Sequence, residues 1–210
     1  FADATVVHTF TGKELRKKKD LLVSSGGARI RCSRKEGVLF VDRAAKVNSP
    51  NCLRFCDRSD LGTLDGFVPR ADERPRLFSA QFLKPVCYRT APGAEELQLE
   101  GRLGRGAAGF PCALTFHGRH AEPQVRMTLR LHNALADHRL RVRFLGVPPE
   151  LLQHRCTDVR EVVDSDAGGF VAFTLVRACG RLLVDGRELA VPAAQCRGWI
   201  EHEFLLGGPG

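Results

Sequence analysis

Between Val125 and Phe144 the side chains change character at every second residue. Val125, Met127, Leu129 and Leu131 are apolar, while Arg126, Thr128, Arg130 and His132 between them are polar. After the polar stretch Asn133 to His138, Leu140, Val142 and Phe144 alternate with Arg139, Arg141 and Arg143. A period of two belongs to a strand with one buried and one wet face, and a helix of period 3.6 cannot reproduce it. The two runs predict an antiparallel pair around a short connection, with the five arginines on one side. Like charges on facing strands repel, so acidic side chains or an anionic ligand are expected against that side.

The same rhythm recurs. Ala28, Ile30 and Cys32 alternate with Arg29, Arg31 and Ser33, Arg34-Lys35-Glu36-Gly37 turns the chain, and Val38 to Val41 returns as the second arm of a hairpin. Further strands are predicted at Gln81 to Tyr88, Leu97 to Leu103, Phe170 to Val176, Arg181 to Val184 and Trp199 to Leu206. Residues 49–76, with Ser-Pro-Asn, several Asp and Arg-Pro, suit a long structured loop. The one helix is expected at about 12–24. Thr11 and Glu14 have capping-box spacing, Leu15, Leu21 and Leu22 can share a face, and Gly26-Gly27 ends it. The chain therefore divides into a helical lead-in, 1–27, and a β domain, 28–210. Many strands with little helix predict a mostly β, antiparallel β-sandwich.

Composition removes several classes. A 43% hydrophobic content can fill a core. The longest apolar runs, such as Val38 to Val41, are far too short to span a bilayer, so no membrane partner is expected. Phe1 to Ala4 lack the basic start and apolar centre of a signal peptide, but the chain reads as a piece of something longer, so this terminus says little about compartment; cytoplasmic residence is the expectation. The net charge of +8 is mostly arginine spread along the chain, which reads as solvated strand faces. With one Trp, one Tyr and no interleaved basic–aromatic motif, nucleic acid is not expected as a partner. Eight cysteines occur without a Cys-x-x-Cys, mostly within apolar stretches, and read as reduced core residues. His117 and His120, or Cys196 and His202, do not have diagnostic metal spacing. No Gly-x-Ser-x-Gly occurs, and Gly104 to Gly109 lacks the Lys-Ser/Thr of a phosphate loop. No catalytic residue, metal site or cofactor is assigned to this chain.

The carboxylates Asp57, Asp60 and Asp65 cluster in one loop, Phe55 to Pro69. Carboxylates so placed can accept hydrogen bonds from sugar hydroxyls, hold a hard cation, or close turns on their own backbone.

Four segments, in order, resemble the C-terminal β-region of glycoside hydrolase family 38, the α-mannosidases and their mannosylglycerate-hydrolysing relatives. Asn133-Ala134-Leu135-Ala136-Asp137-His138-Arg139-Leu140-Arg141-Val142 is similar to the family's Asn-x-Ala-x-Asp-His-Arg-Leu-Arg-Val. Phe55, Asp57, Asp60, Gly62, Phe67 and Pro69 match its Phe-x-Asp-x-x-Asp-x-Gly-Asp-x-Tyr-x-Phe-x-Pro. Phe173 to Leu182 is similar to its Leu-Thr-Leu-Leu-Arg-Ala-x-Gly-x-Leu, and Gln195-Cys196-Arg197-Gly198 to its closing Gln-Cys-x-Gly. The chain departs from the pattern at Thr63, where the family has Asp, and at Asp65, where it has a sugar-contacting Tyr.

The resemblance implies a galactose-mutarotase-like supersandwich that follows a catalytic domain. In the family that upstream domain holds the zinc ion, the Asp nucleophile and the acid/base, so zinc is expected there and not in this chain. The implied partner is an α-mannoside, reached through that domain; where this chain contacts the sugar, the loop carboxylates Asp57, Asp60 and Asp65 are the expected place, since carboxylates accept from vicinal hydroxyls. Self-association into a homo-oligomer is a further expectation. The alternative is a non-catalytic sandwich that binds carbohydrate or a polyanion on its arginine face.

Overall fold

The computed structural model describes residues 7–33, 37–62, 67–80, 83–106, 109–155, 160–163, 169–184 and 187–208. The first part of the chain carries β1 (His8–Thr11), helix α1 (Gly12–Lys17), β2 (Asp20–Ser24), β3 (Ala28–Ser33), β4 (Gly37–Asp42), β5 (Val47–Ser49) and β6 (Leu53–Ser59). Next come β7 (Arg76–Ser79), β8 (Lys84–Ala91), β9 (Ala94–Leu103), β10 (Phe110–Arg119), β11 (Val125–Asn133) and β12 (His138–Leu145). The last are β13 (Leu152–His154), β14 (Arg160–Val163), β15 (Phe170–Ala178), β16 (Arg181–Val184), β17 (Arg187–Ala190) and β18 (Gly198–Leu206). Every pairing among the described strands is antiparallel.

A seven-stranded sheet runs β1-β8-β9-β10-β11-β18-β13, and a five-stranded sheet runs β14-β15-β12-β6-β7. The two face each other across aromatic side chains. Phe204 of β18 lies 5.4 Å, centroid to centroid, from both Phe144 of β12 and Phe173 of β15. Phe110 of β10 stacks on the His138 ring of β12 at 5.5 Å. These phenylalanines are buried, and truncating one to Ala costs about 3–5 kcal/mol. The expected β-sandwich is what the chain forms.

The inner face of the large sheet continues beyond the five-stranded one and meets a third sheet, β2-β3-β4-β5. Gly118 continues the inward row Leu114, Phe116, and a Cβ on it would sit 2.1 Å from the Ser24 carbonyl oxygen. Only a residue without a side chain lets β2 cross β10 so closely. The Tyr88 hydroxyl also donates to the Leu22 carbonyl of β2 at 2.8 Å.

Three expectations need correction. First, the helix stops at Lys17, and Asp20–Ser24 is a strand. Leu21 and Val23 are buried while Leu22 is 36% exposed, a period of two and not of 3.6. Thr11 ends β1 and makes no side-chain cap bond. A six-residue helix is too short to persist alone, and pairing with β3 takes the residues beyond it. The lead-in is thus part strand, and Lys18 lies 4.0 Å over the Phe10 ring.

Second, residues 49–76 are not one loop. Leu53–Ser59 is a strand at the heart of the five-stranded sheet, with Leu53, Phe55 and Cys56 buried. The Asp and Arg residues that suggest a loop are there, but Asp57 is paired inside the strand layer.

Third, β11 and β12 are not partners. β11 pairs with β10 and β18, and β12 with β6 and β15. The connection between them crosses from one layer of the sandwich to the other. Alternation fixes which side chains face inward, and Met127, Leu129, Leu140 and Val142 are all buried as expected. It carries no information on which strand lies alongside. The five arginines therefore divide between opposite outer faces. Arg126 faces Glu203 at 3.7 Å and Arg130 faces Glu201 at 3.4 Å on one side. On the other, Arg141 pairs with Glu161, while Arg139 and Arg143 lie over the rings of Phe67 and Phe170. The expected acidic partners exist for Arg126, Arg130 and Arg141, but a single cationic face does not.

Candidate functional site

The four motif segments are far apart in sequence and meet at one end of the sandwich. Asp60 follows the last residue of β6, and its amide donates to the Asp137 carbonyl at 2.9 Å. One Asp60 oxygen accepts the Gly62 amide at 2.9 Å, and the other accepts Nε of Arg177 at 2.7 Å. Burial alone would raise the Asp60 carboxyl, but Arg177 and the Gly62 amide outweigh it and hold the group below the usual carboxylate range. Gly62 has φ +74°, and a Cβ there would lie 1.9 Å from the Arg181 carbonyl oxygen. No other residue fits both the backbone and the space.

Asp137 joins the third and fourth segments. Its Oδ1 accepts the Gly180 amide at 2.7 Å and the Gln195 side-chain amide at 3.0 Å. Its own amide donates back to Gln195 Oε1 at 3.1 Å. The Gly180 amide and Gln195 together lower its carboxyl. Asn133 donates through Nδ2 to the carbonyls of Gln195 and Cys196, at 3.2 and 3.1 Å. That fixes its Oδ1 as the acceptor for the Leu135 amide and for Nε2 of His138, both at 3.0 Å. The other ring nitrogen of His138 meets Asp57 Oδ1 at 2.5 Å, and Arg76 holds Asp57 Oδ2. A chain of side-chain contacts thus runs Arg76, Asp57, His138, Asn133 beneath Phe110.

Asp57 and Asp60 were the sequence candidates for sugar contact. They are 1% and 4% exposed, and each of their four oxygens already has a protein partner. Their surroundings brace the corner from within. Asp65 lies outside the described residues. The residues the loop reading missed are Asn133, Asp137, His138, Arg177 and Gln195, which complete the network. Each stands in a quoted motif, so the signal was present as a pattern without a reason.

Among the described residues no group of three or more His, Cys, Asp or Glu is placed to hold a metal ion. His117 and His120 face separate glutamates, Glu96 at 3.2 Å and Glu95 at 3.5 Å. His202 pairs with His154 and not with Cys196. Its Nε2 donates to the Leu175 carbonyl at 2.9 Å, which leaves Nδ1 to accept from His154 Nε2 at 3.0 Å. Burial holds His202 below the usual histidine range. Cys32, Cys52, Cys56, Cys87, Cys112, Cys179 and Cys196 are free thiols, and Cys156 lies outside the described residues. Burial raises Cys52 and Cys112 to about 12, which keeps them protonated and unreactive. No described helix is long and apolar enough to cross a membrane.

No family model matches the sequence, and no curated protein sequence matches it. Solved structures do match the fold. An α-mannosidase from Enterococcus faecalis V583 superposes with a TM-score of 0.62 at 14% identity, over 91% of this chain and 29% of that one. A protein in glycosyl hydrolase family 38 from Enterococcus faecalis gives 0.63 at 14% identity, over 91% of this chain and 30% of that one. The chain spans about three-tenths of the length of these proteins. At this identity the likeness concerns the fold.

Proposed function

We propose that this chain is the C-terminal β-sandwich portion of an α-mannosidase-like glycoside hydrolase, supporting the hydrolysis of α-mannosides by a catalytic domain on other residues of the intact protein. The observation that carries the reading is that 91% of the chain follows a 29–30% portion of two such proteins. The zinc ion, the nucleophile and the acid/base belong to that other domain. In this reading the buried corner of Asp57, Asp60, Asn133, Asp137 and His138 holds the end of the sandwich rigid for the sugar cleft. Asp65 stands where the family has a sugar-contacting Tyr, and its carboxylate is the loop candidate for an altered contact there.

The division of labour follows from glycosidase chemistry. Two carboxyl groups must flank the glycosidic bond, about 5–5.5 Å apart for retention. Asp57 and Asp60 are committed to His138, Arg76, Gly62 and Arg177, so neither is free to act as acid or nucleophile. The isolated chain is therefore expected to leave an activated aryl α-mannoside intact with zinc present.

An antibody raised against this chain tests the reading on the native polypeptide. The expected product is a protein well above 23.1 kDa with zinc-dependent α-mannosidase activity. A native product of the chain's own mass without that activity overturns the proposal. Turnover by the isolated chain that Asp60→Asn abolishes would overturn it from the other side.

A further inference from the structure

Trp199 is the only tryptophan of the chain and is 59% exposed. It follows Gly198 at the start of β18, on the outer face of the seven-stranded sheet, with its ring on the opposite side of the layer from the buried corner. The His132 ring meets it edge-on at 5.3 Å, and the Arg130 guanidinium lies 5.4 Å from its centroid. Arg130 is held in turn by Glu201, its neighbour across the strands, at 3.4 Å. An indole on a strand surface, met edge-on by a histidine and overlaid by the guanidinium of an ion pair, is a held apolar plate with one face left open and donors and acceptors beside it.

The register places a shallow strip two strands from that plate, across β11. On β10 the outward residues Ala113 and Thr115 are short, and they sit between β11 and β9. Ala113 pairs with Arg130 on one side and Glu100 on the other, and Thr115 with Thr128 and Gln98. Strands on either side of a central one are about 9–10 Å apart, so Arg130 and Glu100 flank Ala113 across a strip wide enough for a sugar ring, and a chain of two or more rings spans from it over β11 to Trp199. Gln98 donates to Glu100 at 2.7 Å, which orients its amide along the far wall. Arg102 is held by the carbonyls of Gly106 and Gly109 at its end of the strip.

The charges between the strip and the plate cancel: Arg102 and Arg130 offset Glu100 and Glu201. That balance disfavours a phosphate or sulfate and suits a neutral ligand. A pyranose carries C–H bonds on one face, which lie against an aromatic plate, and vicinal hydroxyls that both donate and accept. Arg130 and Gln98 can donate to those hydroxyls, and Glu201 and Glu100 can accept from them. We propose that this face, with Trp199 as the stacking platform, is a binding site for a neutral hexopyranose chain, separate from the motif corner. The choice of an α-mannan as the chain rests on the proposed function.

The test uses the single fluorophore. The purified chain is titrated with soluble α-mannan and with methyl α-mannoside, and the emission of Trp199 is followed. The expected result is a saturable change in intensity or wavelength. Glu201→Gln, which leaves the fluorophore in place, should weaken half-saturation about tenfold, as loss of a charge-assisted hydrogen bond does. Trp199→Ala, with its fold checked by circular dichroism, should lose retention on immobilised mannan. Emission that mannan does not move overturns the proposal, and so does an unchanged half-saturation in Glu201→Gln. A Trp199 already shielded from an aqueous quencher in the intact native protein, without sugar, would show that another domain covers this face, and overturns it too. The two proposals fail separately. An active native mannosidase with unresponsive Trp199 removes only the sugar site on this face, while a saturable Trp199 response in a protein without hydrolase activity removes only the proposed function.

Discussion

The motif corner and the outer face of the large sheet are built from the same side chains and differ in everything else. In the corner, Asp57, Asp60, Asn133 and His138 are under 10% exposed, and each meets defined partners. On the outer face, Arg126 faces Glu203 at 3.7 Å, Arg155 pairs with Glu203 at 3.0 Å and Arg130 with Glu201 at 3.4 Å, and the arginine side chains are 43–57% exposed. Buried charges lose their hydration and must be matched group by group. Exposed pairs keep most of their water and are worth about 0–1 kcal/mol. The corner therefore tolerates almost no exchange of residues, whereas the face tolerates a great deal. That asymmetry makes the corner recognisable in sequence and leaves the face free to take on a specific surface role.

The largest effect is expected from Asp57→Ala. It removes the acceptor of His138 and Arg76 and leaves a buried ring nitrogen unpaired. Breaking a buried pair by deleting one partner costs about 3–5 kcal/mol, to be read from the urea midpoint. A loss below about 1 kcal/mol would place the corner with the outer face and break the contrast. Gly62→Ala follows closely. Its Cβ would overlap the Arg181 carbonyl oxygen at 1.9 Å on a backbone of φ +74°. Strain and overpacking together should cost about 3 kcal/mol, and thermal unfolding checks it.

Acid sharpens the comparison at a different depth. His202 is buried neutral beside His154, and its folded value is depressed below 6.5. Above 6.5 the group is neutral folded and unfolded, so its contribution is fully present. As the pH falls below that point, the unfolded chain takes up a proton that the folded one resists, and stability is lost. Asp60 and Asp137 act in a lower window. Their folded values lie below 3.8, so their contribution is complete above it and disappears as the pH falls through the folded values. Urea titrations should show two separate declines. His202→Gln should flatten the upper one and leave the lower unchanged.

What the sequence made legible follows the same division. The alternation of Val125 to Phe144 located two strands and their inward faces, because burial at every second residue is a local property. It did not reveal that the strands lie in different sheets, since pairing depends on β6, β10, β15 and β18, which are distant in sequence. Leu53 to Ser59 read as loop because Asp57 looked solvent-seeking, and only the fold supplies the His138 and Arg76 that allow it inside. Leu21 and Leu22, two leucines after a polar run, fit either period, and only the burial of Val23 shows that the residues beyond the helix form a strand. In the corner, the motif residues were visible as a pattern, and their convergence explains it. Asp137 ties Gly180 to Gln195, and Asn133 ties Gln195 to His138. His154 and His202 gave no signal, being 48 positions apart.

The smallest effect belongs to the outer face and carries the most weight for its proposed role. Glu201→Gln removes one charge of an exposed pair whose side chains are 62% and 57% exposed. Water and salt take over most of what the carboxylate supplied to Arg130, so unfolding should shift by less than about 1 kcal/mol. The shift should shrink further as ionic strength rises, because the screening length falls to about 8 Å at 0.15 M and shorter beyond. A larger, salt-resistant loss would mean that Glu201 supports the β11–β18 pairing, and any weakened sugar response in that variant would then reflect a disturbed strand. With stability unchanged, a tenfold weaker response of Trp199 to mannan can only come from the rim of the plate itself. The same substitution thus separates a face that merely keeps the sheet soluble from one that holds a ligand.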